Sequence, residues 1–281
     1  VLTIKGVIVN SEKELVGQLL DNGAFREEHR SFEMNYDYSV LNDGRQNILV
    51  VGNSHAEDLL KVLSFSYLAN EYHLNLTSPI RRAKDINYQV SCLWKYLKDK
   101  ETTCKKNEYG PNISKQYSSA HIVMLGSAWK TEDIESLSLS IRKMLDDGKK
   151  VIVVGNTPQS KTFGEQGLNR FDKFLFERKI LPSASQLEQI EQQFFYDYMK
   201  GQQDLNTQLL TIVDSFKNPN VVFKERSDFM CDKDEKRCFM YFSSDKAKVL
   251  WDYGHTTTDG ARVLGRLITE RQWLSDIIQK E

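Results

Sequence analysis

Three residues in this chain have the types and the placement to move an acyl group: Ser54, Asp252 and His255. Ser54 follows Gly52 and Asn53, directly after the apolar run 47–51 and just before a helical pattern. A serine at the carboxyl end of a strand and the start of a helix has its amide at the positive helix end, where an oxyanion is stabilised. The same address suits a helix cap, and position alone favours the cap. Asp252 and His255 stand three residues apart in the loop before the last helix, close enough for a tight turn to bring carboxylate and imidazole together. The carboxylate would then orient the ring while the ring accepts the serine proton. Taken alone, an aspartate and a histidine in a loop are usually solvated.

The elements that must position these residues read as strands alternating with helices. Short apolar runs at 47–52, 121–126 and 150–155 each end in glycine, as buried parallel strands do, and 72–77 and 220–224 read as two further strands. Helical patterns follow Ser54, span 131–147 with Thr131 as N-cap, and fill 185–216 with a bend near Gly201. Residues 159–184 read as an irregular insertion. A terminal helix opens at Thr258 or Asp259, with Ala261, Leu264, Leu267, Ile268, Trp273 and Ile277 at roughly helical spacing. This alternation predicts an α/β fold, a three-layer α/β/α sandwich around a central parallel sheet, with working residues at the carboxyl ends of strands. Residues 1–45 are expected to be an N-terminal extension or linker, and 46–281 the catalytic domain.

The 281 residues, 40% hydrophobic, suffice for a sizeable core. Lys and Arg total 38 against 39 Asp and Glu, which gives no net field to recruit nucleic acid and favours a neutral or locally recognised substrate. No apolar run approaches the roughly 20 residues of a membrane span, and the first residues lack the basic region of a signal peptide. A start at Val1 suggests a mature form or an excised domain. His29, His73 and His121 lack companions at ligand spacing, so no metal or cofactor is expected. The pair Arg81 and Arg82 reads as a solvated turn, and the sequons at Asn75 and Asn112 carry no meaning in a bacterial setting. The four cysteines form two close pairs, Cys92 with Cys104 and Cys231 with Cys238. Three connectivities are open, of which pairing near neighbours needs the least long-range order. Disulfides would place the chain outside the cytoplasm, and four reduced thiols are the alternative.

Taken together, these segments resemble the SGNH (GDSL-like) hydrolase family, and among its members the SGNH domains fused to membrane acyltransferases that O-acylate surface polysaccharides. The family's first block, Gly-Asp-Ser-His, is matched by Gly52, Asn53, Ser54 and His55, and its last block, Asp-x-x-His, by Asp252 to His255 followed by Gly260 and Ala261. Leu125 to Trp129 resembles the third-block strand end, and Cys231 to Cys238 a cysteine-bracketed turn of the fused subfamily. The resemblance spans about residues 46–275 and implies Ser54 as nucleophile, His255 as general base and then acid, and Asp252 as its orienting partner. It places Asn53, Gly126 and Trp129 at the oxyanion hole or substrate pocket, with Gly126 equally readable as strand-end punctuation and Trp129 as core. Asn53 replaces the family aspartate, Ala128 stands where an asparagine donor is usual, and no second-block glycine lies between Gly52 and Gly110. His55 is expected to point away from the nucleophile.

The function implied is O-acyl transfer, of acetyl above all, to a surface carbohydrate through an acyl-serine, in an extracytoplasmic domain tethered to the inner membrane. The partners implied are a glycan and a fused or associated membrane acyltransferase. The alternatives are an esterase or deacetylase using the same three residues, and a noncatalytic glycan-binding domain, suggested by Asn53 and the missing asparagine.

Overall fold

The computed structural model describes residues 2–4, 7–9, 11–35, 44–76, 110–134 and 137–277. In chain order its strands are β1 (Leu2–Ile4), β2 (Val7–Val9), β3 (Gln46–Val51), β4 (Tyr72–Leu76), β5 (Ile122–Leu125), β6 (Lys150–Val154), β7 (Val221–Lys224), β8 (Cys231–Asp232), β9 (Arg237–Cys238), β10 (Tyr241–Phe242) and β11 (Ala247–Lys248). The helices are α1 (Glu12–Leu19), α2 (Asn22–Asn35), α3 (Ser54–Leu63), α4 (Leu68–Glu71), α5 (Gly110–Ser119), α6 (Thr131–Ile134), α7 (Leu137–Asp146), α8 (Arg170–Arg178), α9 (Ala184–Ser215), α10 (Ser227–Met230) and α11 (Thr258–Glu270).

Strands β3 to β7 form a five-stranded, all-parallel sheet in the order β4-β3-β5-β6-β7. Because successive strand residues face opposite sides, each strand feeds two cores. Ile48, Val50, Met124, Ile152 and Val154 join one core with α3, α8 and α11. Leu49, Val51, Val123, Leu125, Val151 and Val153 join the other with α5 and α7. This is the expected three-layer α/β/α sandwich. Counted among the sheet strands alone, the order is 2-1-3-4-5, which reverses direction between β3 and β5 and opens a crevice at their carboxyl ends. Gly52 to Ser54 and Gly126 to Ala128 leave the sheet at that crevice.

Three expectations are revised. The stretch 159–184 contains the helix α8, capped by Asn169, whose side chain accepts from the Asp172 amide. The long helix α9 runs 32 residues through Gly201 without interruption. Its first half sends Phe194 and Tyr198 to the first core and its second half sends Leu209 and Val213 to the other, and this packing at both ends offsets the helix cost of one glycine, roughly 1 kcal/mol. The terminal helix is capped by Thr257 and ends at Glu270, so Trp273 is buried in the turns beyond it.

Residues 11–35, within the stretch read as an extension, fold against this sandwich. Leu15, Val16 and Leu19 are part of the first core. Lys248 Nζ donates to Leu19 O and Asn22 Oδ1, both at 2.8 Å, and meets Asp172 Oδ1 at 2.6 Å. Burial lowers the Lys248 pKa and raises that of Asp172, while each counters the other's shift. Cys231 and Cys238 are joined by a disulfide across the β8–β9 hairpin. Cys92 and Cys104 lie outside the described residues. No helix among the described residues is long and apolar enough to cross a membrane.

Candidate active site

Ser54 is the first residue of α3, and Asn53 is its N-cap, accepting from the His55 amide at 3.1 Å. The Asn53 side chain also accepts from Ala128 N at 3.0 Å and donates to Ala128 O at 3.4 Å. Asn53 thus lashes the turn after β3 to the turn after β5. Gly52 allows the close approach, since a Cβ there would lie 2.8 Å from Ser127 Oγ and 2.9 Å from Ala56 Cβ.

The turn before α11 brings the other two residues to Ser54. Asp252 Oδ1 accepts from the amides of Gly254 and His255 at 2.9 and 2.8 Å, and Oδ2 lies 2.7 Å from His255 Nδ1. The carboxylate can only accept, so Nδ1 carries the proton and Nε2 of the neutral ring is an acceptor. Nε2 lies 2.9 Å from Ser54 Oγ, whose hydroxyl therefore donates to it across a sequence separation of 201 residues. Burial disfavours the His255 cation, but the hydrogen bond to Asp252 and the charges of Asp58 and Asp252 outweigh it, and the pKa is raised above 6.5. The chain Asp252–His255–Ser54 is geometrically able to take a proton from the hydroxyl and hold it on an oriented imidazole.

Residues that the sequence reading did not single out hold this arrangement. Asp58 and Lys61, one and two turns into α3, clamp Thr256. Asp58 Oδ1 accepts from the Thr256 amide and hydroxyl at 3.1 and 2.9 Å, and Lys61 Nζ donates to Thr256 O at 2.6 Å. Burial works against the Asp58 charge, but Lys61, His255 and His29 hold its carboxyl well below the usual range. His29 of α2 completes the cluster, its Nδ1 2.9 Å from Lys61 Nζ. Trp251 stacks on His255 with centroids 5.3 Å apart and planes at 21°, and the Arg26 guanidinium lies 5.5 Å from the Trp251 ring.

Arg226, only 2% exposed, donates to three main-chain carbonyls, two just past strand ends and one in the first turn of α3: Gly126 O and His55 O at 2.8 Å and Gly155 O at 3.2 Å. Burial pulls its pKa down to about 10, so it remains a cation at neutral pH. Gly126 is required by this contact, because a Cβ there would lie 2.8 Å from Leu59 Cδ2 and 3.1 Å from an Arg226 nitrogen.

The expected pocket residues are placed otherwise. Gly126 has its N–H bound to Val51 O and its carbonyl bound to Arg226, so neither faces a ligand. Trp129 lies in the second core and donates its indole N–H to Val154 O at 2.7 Å. His55 does not point away: its ring centroid is 5.1 Å from that of His255, with Nδ1 2.8 Å from Thr157 Oγ1. Burial first, then the charges of Arg226 and His255, push its pKa down to about 3, which keeps it neutral. His73, in β4, and His121, just before β5, lie at the amino-terminal ends of these strands, opposite the crevice.

The chain matches the family model described as "SGNH domain (fused to AT3 domains)" over residues 24–270. No curated protein matches it. A solved structure from Bacteroides fragilis, described as that of an acylhydrolase, is 16% identical with a TM-score of 0.39, the alignment covering 86% of this chain and 93% of that one. That likeness is too low to bear on function. The family match runs from the first turn of α2 to the last residue of α11, enclosing the crevice and all three hydrogen-bonded residues, and the chain belongs to the SGNH domain family.

Proposed function

We propose that the chain is the acyl-transferring domain of a surface-polysaccharide O-acyltransferase, with acetyl as the group moved. The observation that carries this reading is the unbroken hydrogen-bond chain from Asp252 through His255 to Ser54. Ser54 Oγ attacks the carbonyl carbon of an acyl donor while His255 Nε2 takes the hydroxyl proton. The oxyanion forms beside the Ser54 amide, the first of α3, with the helix dipole behind it. His255 then gives its proton to the leaving group, and acyl-Ser54 remains. A sugar hydroxyl attacks this ester, His255 takes that proton and returns it to Ser54 Oγ. A membrane acyltransferase, of the kind to which the family's domains are fused, would present the donor. The Cys231–Cys238 disulfide supports an extracytoplasmic setting.

Intact mass spectrometry after incubation with a fluorophosphonate or an activated acetyl ester tests the reading. One adduct on wild type and none on Ser54→Ala is expected. Equal labelling of both would place the nucleophile elsewhere. Acetate release that speeds up with an added glycan acceptor, with acetyl appearing on the glycan, supports transfer, whereas release to water alone at full rate identifies an esterase. A protein that never labels yet binds glycan is a noncatalytic binding domain.

A further inference from the structure

We propose that the groove between α8 and α9 is a subsite for an anionic sugar unit, bearing a carboxylate or phosphate, of the polysaccharide acceptor; this deepens the glycan-transfer reading and rests on it. The groove encloses about 330 Å³. Arg170, Lys173 and Arg178 line it from α8, and Gln186, Gln189 and Gln193 from α9, with no carboxylate among the lining side chains.

The charge in the groove is locally unbalanced although the whole chain carries only −1. Asp197 meets Arg170 at 2.6 Å and Glu177 reaches Lys173 at 3.8 Å, while Arg178 has no ion-pair partner among the described residues. Lys161 adds a fourth cation: it, Arg170 and Lys173 crowd the single ring of Phe163, at 5.8, 5.2 and 4.6 Å from its centroid. Cations held this close create a positive local potential that an anionic ligand relieves. The guanidinium of Arg178 presents a fork that fits carboxylate or phosphate oxygens. Gln189 and Gln193 are exposed and their side chains make no hydrogen bond among the described residues, which leaves amide donors and acceptors for sugar hydroxyls.

Helix α8 is also tied to the reacting centre. Asn169, the cap of α8, donates to Leu250 O and Asp252 O at 3.2 and 3.1 Å, and the Ser160 amide donates to Tyr253 O at 2.7 Å. The helix that supplies all three lining cations is therefore fastened to the turn that carries Asp252 and His255. Tyr253, 39% exposed, lies on that turn with its ring 5.4 Å from His255.

Calorimetric titration of the folded domain at low and high salt tests the proposal, using hexagalacturonate, phosphorylated maltohexaose and plain maltohexaose as probes. The carboxylated or the phosphorylated hexamer is expected to bind wild type, at least about tenfold more tightly than plain maltohexaose, and more weakly at high salt. Which of the two binds identifies the anion. The double substitution Lys173→Glu with Arg178→Glu, at two sites in contact with solvent, is expected to weaken that binding about tenfold or more while turnover of a small aryl acetate stays unchanged. Neither charged hexamer binding, equal binding by the double variant, or binding only to phosphatidylglycerol vesicles would overturn the subsite. Aryl acetate turnover without charged-hexamer binding fails the subsite alone. Charged-hexamer binding by a protein that never labels at Ser54 fails the catalytic reading and keeps the groove.

Discussion

Asp58 Oδ1 receives both the amide and the hydroxyl of Thr256, and so joins the residue after His255 to the helix that begins at Ser54. The contact is buried, with Asp58 at 1% and Lys61 at 0% exposure. Asp58→Ala removes the carboxylate that faces the buried Lys61 ammonium at 3.4 Å and is expected to cost about 3–5 kcal/mol. Asp58→Asn keeps an acceptor for Thr256 and is expected to cost less, about 1–3 kcal/mol. Urea denaturation of both variants checks the order, and equal losses would mean that charge plays no part in the clamp.

Arg226 makes a second prediction. Arg226→Met removes donors from three buried carbonyls and is expected to lower stability by about 3 kcal/mol or more, since each orphaned group costs about 1–3 kcal/mol. Arg226→Lys retains the charge but cannot span all three acceptors, and is expected to keep the fold while slowing Ser54 labelling. A Lys variant that labels at the wild-type rate would show that the three-way contact does not set the position of the nucleophile turn.

The raised pKa of His255 gives activity and stability opposite pH dependences. Acylation needs the neutral ring, so the rate of Ser54 labelling is expected to rise with pH to a plateau, with its midpoint above 6.5. The folded state holds the His255 proton more tightly than the unfolded chain. Its stabilising contribution is therefore complete below about 6.5 and is lost as pH rises through the folded value. A labelling profile with its midpoint below 6.5 would mean that burial outweighs Asp252 and Asp58.

The β8–β9 disulfide closes a short loop with a sequence separation of 7. Replacing Cys231 and Cys238 by alanine is expected to cost about 2 kcal/mol through the unfolded chain. Chemical denaturation with and without reductant measures this, and unchanged midpoints for both would show that the hairpin is held by packing alone.

The five sheet strands and the two reactive segments were legible because each depends on local signals: short apolar runs, three of which end in glycine, and residue types in short blocks. The supporting residues were not, because their roles come from burial. Asp58 and Lys61 stand three residues apart in sequence with nothing to distinguish them from a charged pair on a helix surface, yet α3 is buried on every side from His55 to Leu63. Arg226 sits between Glu225 and Ser227, a composition that suggests a solvated loop. Trp129 and Gly126 had the right position for a pocket, but the neighbouring elements that occupy their polar groups, Val154, Val51 and Arg226, are distant in sequence. Helix α8 was missed because the surrounding stretch from Thr157 to Pro182 is broken by turns.

Helix α3 begins at the nucleophile and, one and two turns later, grips the strand of chain that follows the base. A rigid rod that bears on both partners makes their thermal displacements common-mode: when α3 rocks, Ser54 and the His255 turn travel together. The 2.9 Å separation between Oγ and Nε2 is then insulated from sliding of the layers, because no flexible joint lies between the two grips. Part of the site's alignment is thus a property of one helix, set when the domain folds.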